Sequence, residues 1–513
     1  MVNLDSRAGW TYHKATKHSH LSVRTNRHFL DWANQPLPFK IYPKLELIPL
    51  PRKFREVAAP ALRAIAEVRR RESAVPDLQN LSQLLYLSAG ITRRRAWSGG
   101  EIYFRAAACT GALYEIELYL AAAALPDLEP GLYHFAADEF GLRKLRAGDF
   151  RGVLAEASAH ESSIAHAPLI VICTATYWRN AWKYQARTYR HFGWDNGTIL
   201  ANLLAVSASL EFPAKVIGGF VDAEVNRLLD VDSEREVAFS LVPIGQVPDA
   251  TPAAPEDLSP LGLETVPLSR NEVDYPAMRT MHAASSLPSP KDVAGWREFA
   301  SVARSKEPAP ELIALQPLGD KDIPADSIEQ VILRRGSTRR FRREPISFVE
   351  LSTILDRSTG GVAADFLEPF GTTFNDLYLI VNAVEGLASG SYFFNRERRG
   401  LEPLKAGDFR SQAGDLGLEQ ELPADSSVAI FFLADLERIF ERFGNRGYRA
   451  VQLEAGIVGG RLYLAAYALR LGASGLTFYD DDVVNFFSPH AEGKSAVFLV
   501  ALGKKAKPSG TPA

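Results

Sequence analysis

The sequence predicts an α+β protein made of two tandem copies of one domain. Three observations predict it. Short motifs recur at one constant spacing, helix and strand patterns mix without regular βαβ alternation, and each copy holds one long segment that is apolar on all sides, the mark of a buried helix.

The repeat comes first because it sets the frame. Gly131-Leu-Tyr-His-Phe135 matches Gly390-Ser-Tyr-Phe-Phe394, and Arg146-Ala-Gly-Asp-Phe-Arg151 matches Lys405-Ala-Gly-Asp-Phe-Arg410. Tyr189-Arg190 recurs as Tyr448-Arg449, Gly197 as Gly456 and Asn226 as Asn485. Each pair is 259 positions apart. Leu81-Ser-Gln-Leu-Leu85 and Leu351-Ser-Thr-Ile-Leu355 extend the match at an offset of 270, so an insertion or deletion lies between. The period is a whole domain and not a solenoid unit. It divides the chain into an N-terminal arm (1–55), a first domain (56–245), a linker (246–322) rich in Pro, Ala and Ser, and a second domain (323–513). Trp296 and Phe299 imply that part of the linker packs down.

Each copy opens with a helix pattern. In the second copy Asp326 and Glu329 suit a capping box, Ile328, Val331, Ile332 and Leu333 follow, and Gly336 ends the helix. A short helix over Leu351 to Leu355 comes next. A strand is expected at Leu377 to Val381, matched by Leu118 to Leu120. A hairpin follows, Leu132 to Phe135 and Leu142 to Leu145 around a turn at 138–141. The strand Pro168 to Cys173, or Val428 to Leu433, leads into the buried helix carrying Ile199, Leu200, Leu203, Leu204 and Val206, or Val458, Leu462, Leu464 and Leu469. A further strand and a last one, Val497 to Leu502, close the copy.

Composition excludes several classes. The 513 residues are 46% apolar and 23% charged, ordinary for a soluble globular chain, and the net charge of −3 offers no bulk field for nucleic acid or an anionic membrane. The apolar run Tyr119 to Leu125 is too short to span a bilayer, and Met1 to Trp10 shows no secretory signal. Cys109 and Cys173 make no disulfide framework. A cytosolic location is the default expectation. His13, His18 and His20 lack a carboxylate or cysteine to complete a metal set, so no metal is expected. The glycines from Gly456 to Gly460 precede a buried helix without dinucleotide-binding spacing and indicate close helix packing.

Four stretches resemble the nitroreductase family of flavin mononucleotide (FMN) enzymes. Arg334-Arg-Gly-Ser-Thr-Arg-Arg-Phe341 resembles its phosphate-binding R-R-S-x-R-x-F. Ala108-Cys-Thr-Gly-Ala-Leu-Tyr-Glu115 resembles its flavin-face loop P-S-A-G-A-L-Y-P, with both prolines replaced. Ile217-Gly-Gly-Phe220 and Gly475-Leu-Thr-Phe478 resemble its glycine turn. Trp182-Lys-Tyr184 with Tyr189-Arg190, and an arm containing Tyr12 to His18 and Asp31 to Tyr42, resemble the branch that oxidises thiazolines and oxazolines in peptides. The resemblance implies that each copy is a mostly antiparallel sheet flanked by helices. It also implies that the copies pair as an intrachain pseudo-dimer with flavin at their interface.

The residues suit those roles. Guanidinium forks and a hydroxyl bind a phosphate dianion well, and Arg335, Ser337 and Arg339 alternate along an extended stretch just after a helix C-terminus, whose dipole cannot help an anion. Arg334, Lys504 and Lys505 would add charge. The small residues Cys109, Thr110, Gly111 and Ala112 let backbone approach a flat ring, and Gly475 with Leu476 would serve the same ring from the glycine turn. Lys183 and Tyr184 are the expected catalytic pair, since dehydrogenation needs a base and a partly desolvated lysine can be one.

The copies have diverged in complementary ways. The second keeps the arginine motif but has Phe443-Gly444 where the first has Lys183-Tyr184, and Glu368 to Thr373 at the loop position. The first puts Ile65 and Glu67 opposite Arg335 and Ser337, leaving Arg69 and Arg70. In this family one site draws its clamp and its loop from different halves, so a single flavin per chain is expected. The expected function is an FMN oxidoreductase acting on a small-molecule or peptide substrate. It would oxidise an azoline or similar ring, or reduce a nitro compound or quinone with NAD(P)H. The alternative is a non-catalytic binding or scaffold protein of the same descent.

Overall fold

A computed structural model of the chain describes residues 2–68, 73–97, 100–255, 258–298 and 312–506. Arg69, Arg70 and Phe299 lie outside them.

The apolar segments named above form two long helices, Thr188–Ser209 and Arg446–Ala468, buried over nearly their whole length. They pack against each other at the centre of the molecule, which is why neither has a polar face. Glycine permits the approach. A Cβ on Gly197 would lie 2.5 Å from the Gly456 Cα, one on Gly193 would strike Gln452, and one on Gly460 would strike Ala201. The glycines of the 456–460 stretch therefore serve close helix packing.

A sheet lies in each half. In the first the strand order is Leu47–Pro49, Gly141–Ala147, Gly131–Ala136, Ile116–Ala122, Leu169–Thr176 and Glu236–Ile244. In the second it is Ile313–Ala314, Gly400–Ala406, Gly390–Asn395, Asn375–Val381, Val428–Ala434, Ser495–Gly503 and Gly472–Leu476. All neighbouring strands run antiparallel. Five strands of the first sheet start 259 positions before their counterparts: Ile116 and Asn375, Gly131 and Gly390, Gly141 and Gly400, Leu169 and Val428, Glu236 and Ser495. Even the register shifts repeat, at Leu132/Tyr133 and Ser391/Tyr392, and at Cys173/Thr174 and Phe432/Leu433. The architecture is the expected α+β one, twice over.

Three details differ from expectation. The second-domain helix is Ile328–Arg334, capped by Ser327 with Gln330 and not by Asp326 with Glu329. Asp326 instead pairs with Arg334 at 2.8 Å and Arg470 at 2.7 Å. The helix expected at Leu351 to Leu355 runs Phe348–Ser358, because Ser347 and Glu350 form a capping box ahead of it. The stretch between the domains holds two helices, Pro276–Ala284 and Pro290–Glu298, despite its loop-like composition. Their buried Met278, Met281, Val293 and Trp296 explain the helices, since packing overrides propensity.

The N-terminal arm packs onto the second half. Asn445 accepts the Gly9 N–H at 2.8 Å, and His13 Nδ1 lies 3.2 Å from the Tyr448 hydroxyl. No described helix is long and apolar enough to cross a membrane.

Candidate functional site

The site forms where the second half's arginine stretch meets the loop before strand Ile116–Ala122. Arg335 follows the helix Ile328–Arg334 and crosses to the other half. Its Nε donates to the Ala106 carbonyl at 2.9 Å and its Nη2 to the Arg105 carbonyl at 3.1 Å. The loop begins two residues later. The clamp is therefore hydrogen-bonded to the strand that leads into the loop, and the two places lie close together.

The loop is tightly wound. Thr110–Ala112 is a single 3-10 turn, and Gly111 (φ 64°), Ala112 (φ 55°) and Tyr114 (φ 55°) take left-handed backbone. Asp195 on the central helix holds it: its two oxygens accept the Thr110 N–H at 2.9 Å, and Oδ1 also accepts the Thr110 hydroxyl at 2.9 Å. The Tyr184 hydroxyl stands 2.9 Å from where a Cβ on Gly111 would sit.

Lys183 and Tyr184 end the helix Tyr177–Tyr184 beside this loop. Lys183 is half-buried. Burial and, second, the Arg339 guanidinium lower the pKa of its ammonium below the usual lysine value. Tyr184 is shifted the other way: burial pushes its phenol up, and the charges of Asp195, Cys109 and Glu115 add to that. Burial thus favours the neutral form of both side chains, the amine of Lys183 and the phenol of Tyr184.

The remaining residues divide. Ser337 lies 3.3 Å from the Tyr463 hydroxyl, which also accepts the Gly475 N–H; the clamp and the glycine turn with Gly475 and Leu476 therefore share a tyrosine. Lys505 pairs with Phe341 across an isolated bridge, and its ammonium lies 4.5 Å above the Tyr467 ring. The Lys504 carbonyl accepts the Arg342 N–H. Arg334 turns elsewhere, donating to Asp326 and to the Tyr467 carbonyl at 2.9 Å. Cys109 Sγ sits 3.3 Å from Asp195 Oδ2 and 3.5 Å from Glu115 Oε2, and burial pushes its thiol well up.

Asp195, Glu115, Tyr463 and Arg93 escaped sequence reasoning. The signal for Asp195 was present, since a carboxylate in a helix apolar on all sides must find a partner. Tyr463 and Tyr467, one turn apart, break an otherwise aliphatic and small face.

These residues fit an anionic, planar ligand. Half-buried Arg335 spends Nε and Nη2 on carbonyls, and among the described residues no carboxylate neutralises it. A guanidinium without an anion in such a place is what a phosphate would complete. Gly336 faces open space, with Arg93 Nη2 the nearest group to an added Cβ, 3.9 Å away. The Thr477 hydroxyl, beside the glycine turn, is buried without a partner.

The reciprocal position is filled by protein. The helices Tyr177–Tyr184 and Leu436–Phe443 end 259 positions apart, so Arg442 and Phe443, and not the expected Phe443 and Gly444, stand where the first half has Lys183 and Tyr184. Asp365 accepts the Gly218 and Gly219 N–H groups at 2.7 and 2.9 Å and pairs with Arg297 at 3.1 Å. Trp296 packs on Gly219, its Nε1 donates to the Phe443 carbonyl at 3.1 Å, and Phe366, Phe374 and Phe443 stack beside it. Ile65, opposite Arg335 in the repeat, is a buried core residue.

Residues 332–504 match the sequence model of the nitroreductase family. The crystal structure of a "putative nitroreductase" from Anabaena variabilis ATCC 29413 superposes on 97% of this chain and 99% of its own, with a TM-score of 0.77 and 26% identity. The "Putative nitroreductase" MJ1384 of Methanocaldococcus jannaschii is 26% identical over 179 residues, which are 35% of this chain and 85% of that protein. The chain shares its fold with the first from end to end.

Proposed function

We propose that this chain is a flavin-dependent oxidoreductase. It would bind one FMN between its halves and dehydrogenate a small heterocycle or a peptide azoline. The observation that carries the reading is the junction of Arg335 with the 105–106 backbone, which brings an arginine and serine clamp to the loop under Tyr184.

Arg335, Ser337 and Arg339, with Arg93 and Lys505 nearby, would hold the phosphate, and the backbone of Cys109 to Ala112 and of Gly475 to Leu476 would take the ring. FMN supplies a two-electron acceptor when bound. The chain's own part is to orient the substrate and move its proton. Lys183, whose pKa is lowered by burial and by Arg339, is suited to accept that proton as the neutral amine. Tyr184, a firmly protonated phenol, is suited to donate a hydrogen bond and pass a proton on. The filled reciprocal position supports one flavin per chain.

Anaerobic titration of the flavin-loaded protein tests the reading. Azoline-containing peptides are expected to bleach the bound flavin, and oxygen to restore it. Bleaching by NADH or NADPH, with turnover of a nitroaromatic or quinone and none with azolines, would replace the substrate assignment. A colourless protein that takes up no FMN would refute the function.

A further inference from the structure

Beneath the loop lies a group of side chains to which the proposed function gives no part. One atom each from Cys109, Glu115 and Asp195 lie within 4.8 Å of one another. Glu115 is fully buried and Asp195 nearly so, and the Cys109 thiol stands between them, 3.5 Å from Glu115 Oε2 and 3.3 Å from Asp195 Oδ2. Glu115 Oε1 has no hydrogen-bond partner. A cavity of about 10 Å³, lined by Ala107, Cys109, Tyr114 and Asp195, adjoins them.

Among the described residues no cation pairs with either carboxyl. The nearby guanidiniums are committed: Arg335 to the Arg105 and Ala106 carbonyls, Arg105 to the Pro38 carbonyl, Arg179 to the Tyr114 carbonyl and Glu117. Two carboxylates this close without a cation cannot both ionise in a desolvated site. Burial and, next, the charge of Glu115 raise the Asp195 carboxyl far above the usual range.

The chain supplies its own comparison. Glu454 stands 259 positions after Asp195 and holds the corresponding loop, accepting the Phe374 and Asn375 N–H groups at 2.9 and 3.0 Å. The position matching Glu115 there is Phe374, the one matching Cys109 is Glu368, and the one matching Tyr184 is Phe443. The carboxylate that holds the loop thus occurs in both halves. The second carboxyl occurs only where the Lys-Tyr pair stands.

Building on the proposed function, we propose that Glu115 and Asp195 act as one unit, a carboxyl pair sharing a single proton, which receives the proton that Tyr184 relays from the substrate. The balance is complete. The substrate loses a hydride to the flavin, the oxidant, and a proton to the neutral Lys183 amine; the resulting ammonium gives a proton to the Tyr184 hydroxyl as that hydroxyl passes its own to the pair. The pair goes from one proton to two and returns the extra one to solvent after product leaves. Asp195 and Glu115 are positioning residues in this scheme, acting through Tyr184.

Infrared spectroscopy of the full-length, flavin-loaded protein at neutral pH, with Asp195→Asn and Glu115→Gln, tests it. Wild type is expected to show the carbonyl stretch of a buried protonated carboxyl, and Asp195→Asn to lose it. The amide oxygen still accepts from Thr110, so flavin loading is expected to persist. kcat is expected to fall about 100-fold with KM little changed, and one ionisation to vanish from the pH profile. Glu115→Gln is expected to act in the same direction and decides the matter where Asp195→Asn does not fold. Absence of the band in wild type, or a wild-type rate and pH profile in both variants, would overturn the proposal. So would a stoichiometric metal that Cys109→Ser releases. A band in a chain with neither flavin nor turnover would overturn the oxidoreductase reading on which the relay rests, while the shared proton stands.

Discussion

Arg190 of the first half and Asp480 of the second meet in a 2.7 Å ion pair buried between the halves, and Arg449 and Asp222 repeat it at 2.6 Å. Each acid also takes a second guanidinium, Arg187 at 3.1 Å and Arg446 at 2.5 Å. The recurring Tyr-Arg motif is thus a reciprocal lock. Asp480→Ala would leave two buried guanidiniums uncompensated, and the expected cost is about 3–5 kcal/mol, read from the denaturant midpoint. Burial works against ionisation of both acids, but the guanidiniums outweigh it and hold Asp222 and Asp480 well below the usual carboxylate range. Their folded pKa values are depressed. Their contribution to stability is therefore complete above about pH 4 and lost as pH falls below that. A pH series of unfolding midpoints should show an acid limb that Asp480→Ala flattens.

Gly197 and Gly456 set the distance between the central helices. A Cβ on Gly456 would lie 2.5 Å from the Trp194 carbonyl oxygen, an atom that cannot move aside. Gly456→Val is expected to destabilise by at least about 1–3 kcal/mol. Gly295 is the control: it lies in a helix with open space around it, so Gly295→Ala should stabilise by roughly 0.5–1 kcal/mol. Thermal melts of both variants check the contrast.

Lys183 and Arg339 are expected to set the pH dependence of turnover. With the neutral amine as the proposed base, the rate should rise with pH through the Lys183 pKa. Arg339 helps keep that pKa low. Arg339→Gln should move the limb to higher pH, and Lys183→Ala should lower kcat by about 100- to 10,000-fold while the protein stays yellow. Steady-state rates across pH, with the flavin spectrum of each variant, distinguish the two effects.

Trp296 and Asp365 occupy the reciprocal position. Trp296→Ala is expected to cost about 3–5 kcal/mol of stability without adding a second flavin, because Asp365 still occupies the Gly218 and Gly219 amides and Arg335 has no counterpart there. A doubled flavin content in this variant would contradict the plugged-site account.

Much of the fold was legible because its signals are local. Strand ends fell within a few residues of expectation, since alternation and turn residues mark them, and the 259-residue spacing carried one copy's reading to the other. The meeting of Arg335 with the 105–106 backbone was not local. It spans some 230 positions and came from family resemblance alone. Arg334 was given to the clamp because it adjoins Arg335; its partner Asp326 lies two helical turns back, in a position that the sequence reading assigned to a cap. The part played by Trp296 was hidden by a Pro-, Ala- and Ser-rich context that resembles a free linker. Asp195 and Glu115 were unreadable as a pair, since nothing in their spacing of 80 positions says that a tight turn brings them together.

The ratio of bound flavin to chain in fully loaded protein tests the central claim most directly. One flavin per chain, falling to near none in Arg335→Ala, is the predicted result. Two flavins per chain, or full loading without the Arg335 guanidinium, would contradict it.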